Sequence, residues 1–253
     1  MMFEGRPGFV RMTLAAAAGV SCLAVAACGS STTSSAGTAP SASSTTDPLA
    51  SLTAAKVLTE TVADAQASSS LTIKGSLTQS KQSYTVDLAI KPGHGCTGTI
   101  GEGSKGSFKL IVIGKNIYLN PDDNFWKANA GADAAAAIAL VNGRYLEVST
   151  SDASMGSLAT LCDVSQLLTS DGSSGTAAKG AVTTLGGIRV LPLNSSDGSV
   201  AYVTDTSKPE PVEAAAPKGA KAGYGKITFS VDAPVTLTAP PASQVIDGSK
   251  LGM

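Results

Sequence analysis

Cysteine and histidine are the residue types in this chain whose side chains could carry out chemistry, and there are four cysteines and one histidine. Cys22 and Cys28 lie near the amino terminus, whereas Cys96 and Cys162 lie in the body of the sequence. A cysteine can act as a nucleophile, form a disulfide or bind a metal. Structural zinc sites need closely spaced pairs of such ligands. Because no paired cysteine spacing exists, the sequence predicts neither a metal site nor a cofactor.

Nucleophilic catalysis is not indicated either. An acyl-transfer site needs a base, usually histidine, held by an acid and placed beside a nucleophile. His94 is the only candidate base of that kind, and it lies in Pro-Gly-His-Gly, residues 92–95, which is typical of an exposed turn. No nucleophile motif accompanies it. We therefore expect the protein not to be an enzyme.

Two further patterns have structural interpretations that we prefer. Asp122 and Asp123 could form a carboxylate pair, but adjacent acids before a helical stretch are typical of surface residues that complement the helix dipole. Gly101, Gly103 and Gly106 lack the lysine and the strand-to-helix context of a phosphate-binding loop.

The amino-terminal segment has the pattern of a secretion signal. Two arginines precede an apolar run, residues 13–25, that is too short to cross a bilayer as a mature helix. The small residues before Cys28 resemble the lipobox of bacterial lipoproteins, in which the cysteine thiol receives a diacylglyceryl group and becomes the new amino terminus. The resemblance implies removal of residues 1–27 and a lipid anchor on Cys28 at the extracytoplasmic face of the membrane. An ordinary signal peptide is the alternative.

The remaining chain divides into a tether and one domain. Residues 28–47 comprise the lipidated cysteine and a Ser/Thr/Ala-rich segment that cannot bury enough apolar surface to fold. As a flexible coil it would span on the order of 25 Å. Residues 48–253 are long enough for a single domain. The whole chain has 18 Lys and Arg against 19 Asp and Glu with no basic cluster, so we expect no nucleic-acid partner.

Cys96 and Cys162 are the thiols that remain after processing. In an exported protein two such cysteines most often pair, so we predict a disulfide. A loop of this length gives roughly 4 kcal/mol of stabilisation in the chain-entropy model. Two separate buried thiols are the alternative.

The periodicity predicts strands, then helices, then strands. A first helix should be capped by Asp47, an alanine-rich helix should end at Asn142, and a further helix should follow Asp152. Alternation predicts strands around residues 71–78, 84–91, 96–100, 107–113, 116–120, 145–149, 181–185, 188–193, 200–204, 212–214, 227–231 and 235–238. This order favours an α+β domain in which a large curled antiparallel sheet, a half-barrel, carries helices on one face. The small alanine side chains favour an apolar cavity between the two layers.

Residues 106–129, GSFKLIVIGKNIYLNPDDNFWKAN, carry a family resemblance. A strand ending in Ile-Gly-Lys, a tight turn into Ile-Tyr-Leu, and Phe-Trp before a helix resemble the actinobacterial cell-envelope lipoproteins of the LppX and LprG type. Residues 224–238 are similar to the final strands of that family. The resemblance implies a fold like that of the LolA and LolB carriers, around an apolar cavity. Its characterised members carry lipids or acylated glycolipids outward through the envelope.

Phe125 and Trp126 are the main aromatic pair in a chain poor in aromatics. Either a ring fills the space between sheet and helices as core, or one of the two lines the mouth of a cavity and contacts a ligand. We carry both interpretations forward, with Phe125 and Trp126 as the candidate ligand-binding residues.

Taken together, these patterns predict a monomeric, membrane-anchored envelope lipoprotein that binds a lipid or acylated glycolipid as a carrier or chaperone. The alternative is a non-enzymatic envelope lipoprotein that mediates protein or cell-wall interactions without a lipid ligand. A large apolar void favours the first function, whereas a filled core with an exposed apolar patch favours the second.

Overall fold

The computed structural model describes residues 47–153, 155–169, 177–219 and 224–248. The predicted signal segment, Cys28 and the tether up to residue 46 lie outside the described residues. In chain order the elements are α1 (Ala54–Ala67), β1 (Leu71–Gln79), β2 (Gln82–Lys91), β3 (Gly95–Gly101), β4 (Ser107–Ile113), β5 (Asn116–Pro121), α2 (Asp123–Asn129), α3 (Ala134–Val141), β6 (Tyr145–Ser149), α4 (Val164–Thr169), β7 (Ala178–Lys179), β8 (Thr183–Leu185), β9 (Ile188–Asn194), β10 (Val200–Thr204), β11 (Pro211–Ala216), β12 (Tyr224–Val231) and β13 (Val245–Asp247).

Within these ranges, 13 strands form one sheet in the order β13-β6-β5-β4-β3-β2-β1-β12-β11-β10-β9-β7, with β8 paired to β9. The pairings are antiparallel except that of β13 with β6, which is parallel. In the described chain β13 and β7 lie at opposite ends of this order, so the sheet is open. This confirms the predicted α+β class. The parallel pair was not predicted; it forms because the chain, after β12, returns to the edge of the sheet beside β6.

One face of the sheet, which we call the inner face, carries the main core. Leu71 on β1 lies opposite Ile90 on β2, which in turn lies opposite Cys96 on β3, and all three are buried. Each helix contributes buried side chains to this same core: Ala65 from α1, Trp126 from α2, Val141 from α3 and Val164 from α4. The helices therefore pack on the inner face, as the sequence predicts.

A second, smaller core lies under the start of α1. Its buried members come from α1, from the segment before it, and from β9 and β10: Leu49, Ala54, Val57, Leu191, Leu193 and Val203. Because Ala65 near the end of α1 belongs to the main core, this helix spans both clusters. Burial of such side chains stabilises the fold by about 1.5–3 kcal/mol each for the larger aliphatic residues.

The first helix starts later than the sequence predicts. Asp47 does not cap it; α1 begins at Ala54, where the Thr53 hydroxyl accepts a hydrogen bond from the Lys56 N–H at 3.2 Å. The Asp47 carboxylate instead accepts from the Leu49 N–H at 2.9 Å within a separate turn.

A lysine distant in sequence explains this late start. Lys179 on β7 donates from Nζ to the carbonyl oxygens of Leu49, Ala50 and Leu52 at 2.7, 2.8 and 2.9 Å. A continuous helix would use such carbonyls for its own hydrogen bonds. The ammonium group satisfies them in place of helical N–H donors, so the chain can turn before α1 begins.

The central helical stretch is interrupted. The predicted helix after Asp152 is a 3-10 turn over Gly156–Cys162 followed by α4. Asp163 between them has an extended backbone, and its carboxylate accepts a hydrogen bond from the Ser165 N–H at 2.9 Å. This hydrogen bond caps the start of α4. By contrast, α3 ends at the left-handed residue Asn142, as predicted.

The strand predicted at residues 235–238 is absent, because the chain turns away after β12. Asp232 adopts a left-handed conformation, donates its N–H to the Ser70 carbonyl at 3.0 Å, and accepts from the Ser69 N–H at 2.7 Å. Pro234 follows and cannot donate a ladder hydrogen bond. The other predicted strands are present with shifted ends, and the short edge strands β7 and β13 are additional.

Glycines on the inner face allow the sheet to bend. A Cβ atom at Gly75 would lie 2.1 Å from the Lys226 carbonyl oxygen, and one at Gly98 would lie 2.0 Å from that of Asp87. Both positions alternate onto the inner face, so the neighbouring strand has moved toward that side. Glycine in a strand often marks such a close backbone approach. The sheet is therefore curled, with the inner face concave.

We predict that Gly75→Ala destabilises the fold by about 2 kcal/mol, because the methyl group must push β1 and β12 apart. In a domain of this size the melting temperature should fall by roughly 5 °C, measured by circular dichroism. The matched control is Ser76→Ala, an exposed change at the next residue. Equal melting temperatures for the two variants would contradict this account of the bend.

Candidate functional site

Part of the inner face remains open to solvent beside the helices. Leu77 on β1 lies opposite Tyr84 on β2, and Val86 on β2 lies opposite Ile100 on β3. Leu77, Val86 and Ile100 are half-buried against the main core, whereas Tyr84 is 37% exposed. We call these four residues the open strip. They form an apolar surface on the concave side of the sheet.

Small residues border the open strip. Leu77 lies opposite Gly225 on β12, which lies opposite Ala216 on β11. One inner-face step further, Gly75 lies opposite the buried Ile227, which lies opposite Ala214. Gly225 and Ala216 have no side chain beyond a methyl group, so the side of Leu77 that faces β12 is uncrowded. We call the open strip together with Gly225 and Ala216 the groove.

The two candidate aromatic residues are placed differently. Phe125 makes edge contacts with Phe108, with ring centroids 5.7 Å apart, and with Trp126, at 5.9 Å. Phe108 lies opposite Ile100 of the open strip. Trp126 is 9% exposed and belongs to the main core, whereas Phe125 is half-buried at its margin. The rings thus continue the apolar surface of the open strip toward α2, and their contact with a ligand stays a prediction.

Trp126 also lines a cleft of about 410 Å³ between α2 and α3. Its remaining lining is mostly polar or small: Asn120, Pro121, Asp122, Asp123, Asn124, Ile138, Val141 and Gly143. The cleft is open to solvent and is therefore not an enclosed apolar chamber of the kind that the resemblance implies.

Asp122 is a helix cap, in line with the structural interpretation of the two adjacent acids. Its carboxylate accepts from the Phe125 N–H at 2.8 Å and from the Ser107 N–H and hydroxyl, both at 2.8 Å. Partial burial raises the pKa of Asp122, but the hydrogen bonds from Phe125 and Ser107 outweigh it and hold that pKa below its ordinary value. A Cβ at Gly106 would lie 2.3 Å from this carboxylate, so this glycine permits the close join between β4 and α2.

Cys96 and Cys162 are joined by a disulfide, with their Cα atoms 5.2 Å apart. This is the pairing predicted from the sequence. Cys96 is fully buried in β3, and Cys162 ends the 3-10 turn before α4. The bond therefore ties the helical segment to the middle of the inner face.

A second cleft, of about 510 Å³, lies beside the disulfide. Its lining comes from α1, the β2–β3 turn, β4 and the turn after it, the residue after β6, and the 3-10 turn with the start of α4: Gln66, Pro92, Gly93, His94, Gly95, Val112, Gly114, Thr150, Ala159, Cys162, Asp163 and Val164. His94 is exposed in the turn, as predicted. Across the described ranges, no group of three or more His, Cys, Asp or Glu is placed to hold a metal ion. Within those same ranges, no helix combines the length and hydropathy needed to span a bilayer.

The sequence analysis did not single out the open strip. Alternation placed Leu77, Tyr84 and Val86 on one face, but it did not indicate where the helices end. The signal that could have identified this surface is the set of glycines and alanines that the register places next to it. That register exists only once the strands are paired.

Comparison with known proteins gives likeness at the level of the fold. No family model and no curated protein matches the chain. Among solved structures, the chain is similar to LprF from Mycobacterium bovis, with 14% identity over 74% of this chain and 96% of that chain and a TM-score of 0.46.

A conserved protein from Thermus thermophilus is also similar, with 10% identity over 77% of this chain and 98% of that chain and a TM-score of 0.39. Because both TM-scores lie below 0.5, neither likeness assigns a ligand, an activity or a partner to this chain.

We predict that Asp122 stabilises the fold above about pH 4 and that this contribution is lost as the pH falls through its lowered pKa. Urea unfolding at neutral pH should show Asp122→Asn less stable than the parent by about 1 kcal/mol, because an amide has a single acceptor oxygen and cannot accept from both Phe125 and Ser107. The difference should shrink progressively as the pH falls below about 4, because the carboxylate is then protonated first in the unfolded chain and, at lower pH, in the folded protein. Asp123→Asn removes the same charge one residue away and is the control; an equal, pH-dependent loss in that variant would contradict the prediction.

We predict that replacing both Cys96 and Cys162 by alanine lowers the free energy of unfolding by about 4 kcal/mol, because the bond closes a loop with a sequence separation of 66. Urea unfolding with and without a reducing agent measures this. The parent should lose a similar amount on reduction, whereas the double variant should not respond. A reduced parent as stable as the oxidised one would refute it.

Proposed function

We propose that this protein is an exported lipoprotein, anchored through Cys28 to the extracytoplasmic face of the membrane, that binds the acyl part of a lipid or acylated glycolipid. It would act as a carrier or chaperone for that lipid in the cell envelope. The acyl chain would lie along the open strip and the small residues beside it. The body would act as a monomer at the end of its tether.

The observation that carries this proposal is the open strip itself. Leu77, Tyr84, Val86 and Ile100 present a contiguous apolar surface on the concave side of a curled sheet. Apolar surface that remains accessible in a concave position marks a binding site more often than apolar residues scattered over a convex surface. The neighbouring glycines and alanines supply the space that a flexible chain requires.

The chemistry of the surface favours an acyl chain over a polar ligand. The open strip contains three aliphatic side chains, and its single polar atom is the phenol oxygen of Tyr84. Binding would come from removing methylene groups from water, at about 0.8 kcal/mol each. Polar contacts would fall at the margin, where Asn120, Asp123 and Asn124 line the cleft beside Trp126.

Native mass spectrometry with lipid extraction tests the proposal on the full chain, purified from a host that makes its own envelope lipids. We expect a co-purifying lipid in near-stoichiometric amount and a diacylglyceryl group on Cys28. Val86→Trp should fill the groove; displacing about three methylenes would weaken binding roughly 50-fold.

The matched control is Thr99→Trp, which adds the same side chain at an exposed position on the outer face of β3. It should retain the lipid. A bare parent chain that also fails to bind added acyl probes would refute the lipid-binding function and favour an envelope protein that meets a protein partner or the cell wall.

A further inference from the structure

The inner face of the sheet becomes polar toward the turn between β1 and β2. Side chains on this face come from alternate residues of each strand. Along β1 and β2 the register gives three successive inner-face pairs: Gly75 with Val86, Leu77 with Tyr84, and Gln79 with Gln82. The first pair is apolar, the second adds one phenol hydroxyl, and the third consists of two amides. The groove therefore has an apolar end and a polar end, separated by about 13 Å at roughly 3.3 Å per residue of strand.

The turn itself fixes this arrangement. Ser80 and Lys81 have φ angles of 51° and 65°, the pair of left-handed residues that a tight two-residue hairpin turn requires. Strand pairing continues to Gln79 and Gln82 on either side of the turn. Because a short turn sets the register, Tyr84 is held on the inner face.

The hydroxyl of Tyr84 is the first polar group that an acyl chain lying in the groove would meet. Tyr84 is 37% exposed, and within the described residues its hydroxyl has no hydrogen-bond partner. A chain that covers the open strip would remove water from this hydroxyl, and a covered polar group without a partner costs free energy. A ligand that fits the groove must therefore carry a hydrogen-bond acceptor at the level of Tyr84.

The two amides beyond Tyr84 differ in what they offer to a ligand. The Gln82 side chain donates to the Glu102 carbonyl, which holds it against the end of β3. Gln79 is exposed, and its amide makes no hydrogen bond to the described part of the chain. An amide has two N–H donors and one acceptor oxygen, so Gln79 can bind a hydroxyl in either direction.

The acceptor that this end favours is a neutral one. None of the three inner-face pairs contains a charged side chain. Beyond them, the same end of the sheet carries both signs of charge: Lys81, Glu102, Lys105, Asp122 and Asp123. A carboxylate or phosphate at the level of Tyr84 would lose water without gaining a cation in the groove, whereas a carbonyl oxygen needs only the phenol donor.

We propose that the groove selects lipids whose acyl chain ends in a neutral ester or amide carbonyl, and that the Tyr84 hydroxyl donates a hydrogen bond to that carbonyl oxygen. The tail would point along β1 toward Gly75, and the hydroxyls next to the linkage would lie at Gln79. The inference rests on the proposed function, because it takes acyl binding in the groove as given. Tyr84 is then the residue that separates an esterified lipid from a bare hydrocarbon or a free fatty acid.

Competition between an ester and its ether analogue tests this on the full chain, freed of co-purified lipid and kept in detergent. The chain is offered an equimolar mixture of 1-palmitoylglycerol and 1-hexadecylglycerol, which differ in the carbonyl group. Native mass spectrometry resolves the two complexes by mass. We expect the parent to favour the ester about fivefold, as one ordinary hydrogen bond would produce. Tyr84→Phe should abolish this preference, and its continued binding of the ether shows that the variant is folded.

Tyr224→Phe is the matched control, because it removes the same hydroxyl from an exposed tyrosine on the outer face, opposite Thr78. It should keep the preference for the ester. A parent that binds both lipids equally, or a Tyr84→Phe variant that still favours the ester, would overturn the role of Tyr84. Stronger binding of palmitate than of the ester would overturn the neutral linkage. A parent that binds none of the three probes would instead refute acyl binding, and with it the proposed function.

Discussion

The bend of the sheet is the constraint on which the other features depend. A sheet of this many strands can enclose a concave face only if neighbouring strands approach on the inner side, and Gly75 and Gly98 make that approach sterically feasible. A side chain at either position would collide with backbone rather than with a flexible neighbour. The inner face can therefore curve around short helices, which need not extend across the whole sheet.

The helices cover this concave surface unequally. The disulfide between Cys96 and Cys162 holds the segment before α4 against the middle strands, and Asp122 joins α2 to the start of β4. Lys179 holds the segment before α1 over a separate, smaller core. Each of these attachments fixes a covering element at one place. Leu77 and Tyr84 lie between the covered regions, and this position leaves them accessible.

A surface of this kind fits binding by shape and apolar area better than catalysis. The titratable groups with lowered pKa values, Asp122, Asp163, Asp197 and Asp232, accept hydrogen bonds from nearby backbone and serine groups in caps and turns. Their role is to fix the chain where elements meet. The concave apolar groove is the feature that the proposed function uses, and binding there would act through burial of apolar groups.

The sequence by itself determined the strands with regular alternation, the left-handed end of α3 at Asn142, and the pairing of Cys96 with Cys162, because these depend on local periodicity, backbone preference and the number of available thiols. Only the tertiary structure decided where α1 begins, since Lys179, far away in sequence, binds the carbonyls before it. It likewise decided that residues 235–238 form no strand and that the open strip is accessible. Exposure depends on strand register and on where covering helices end, and neither is encoded in the period of a single segment.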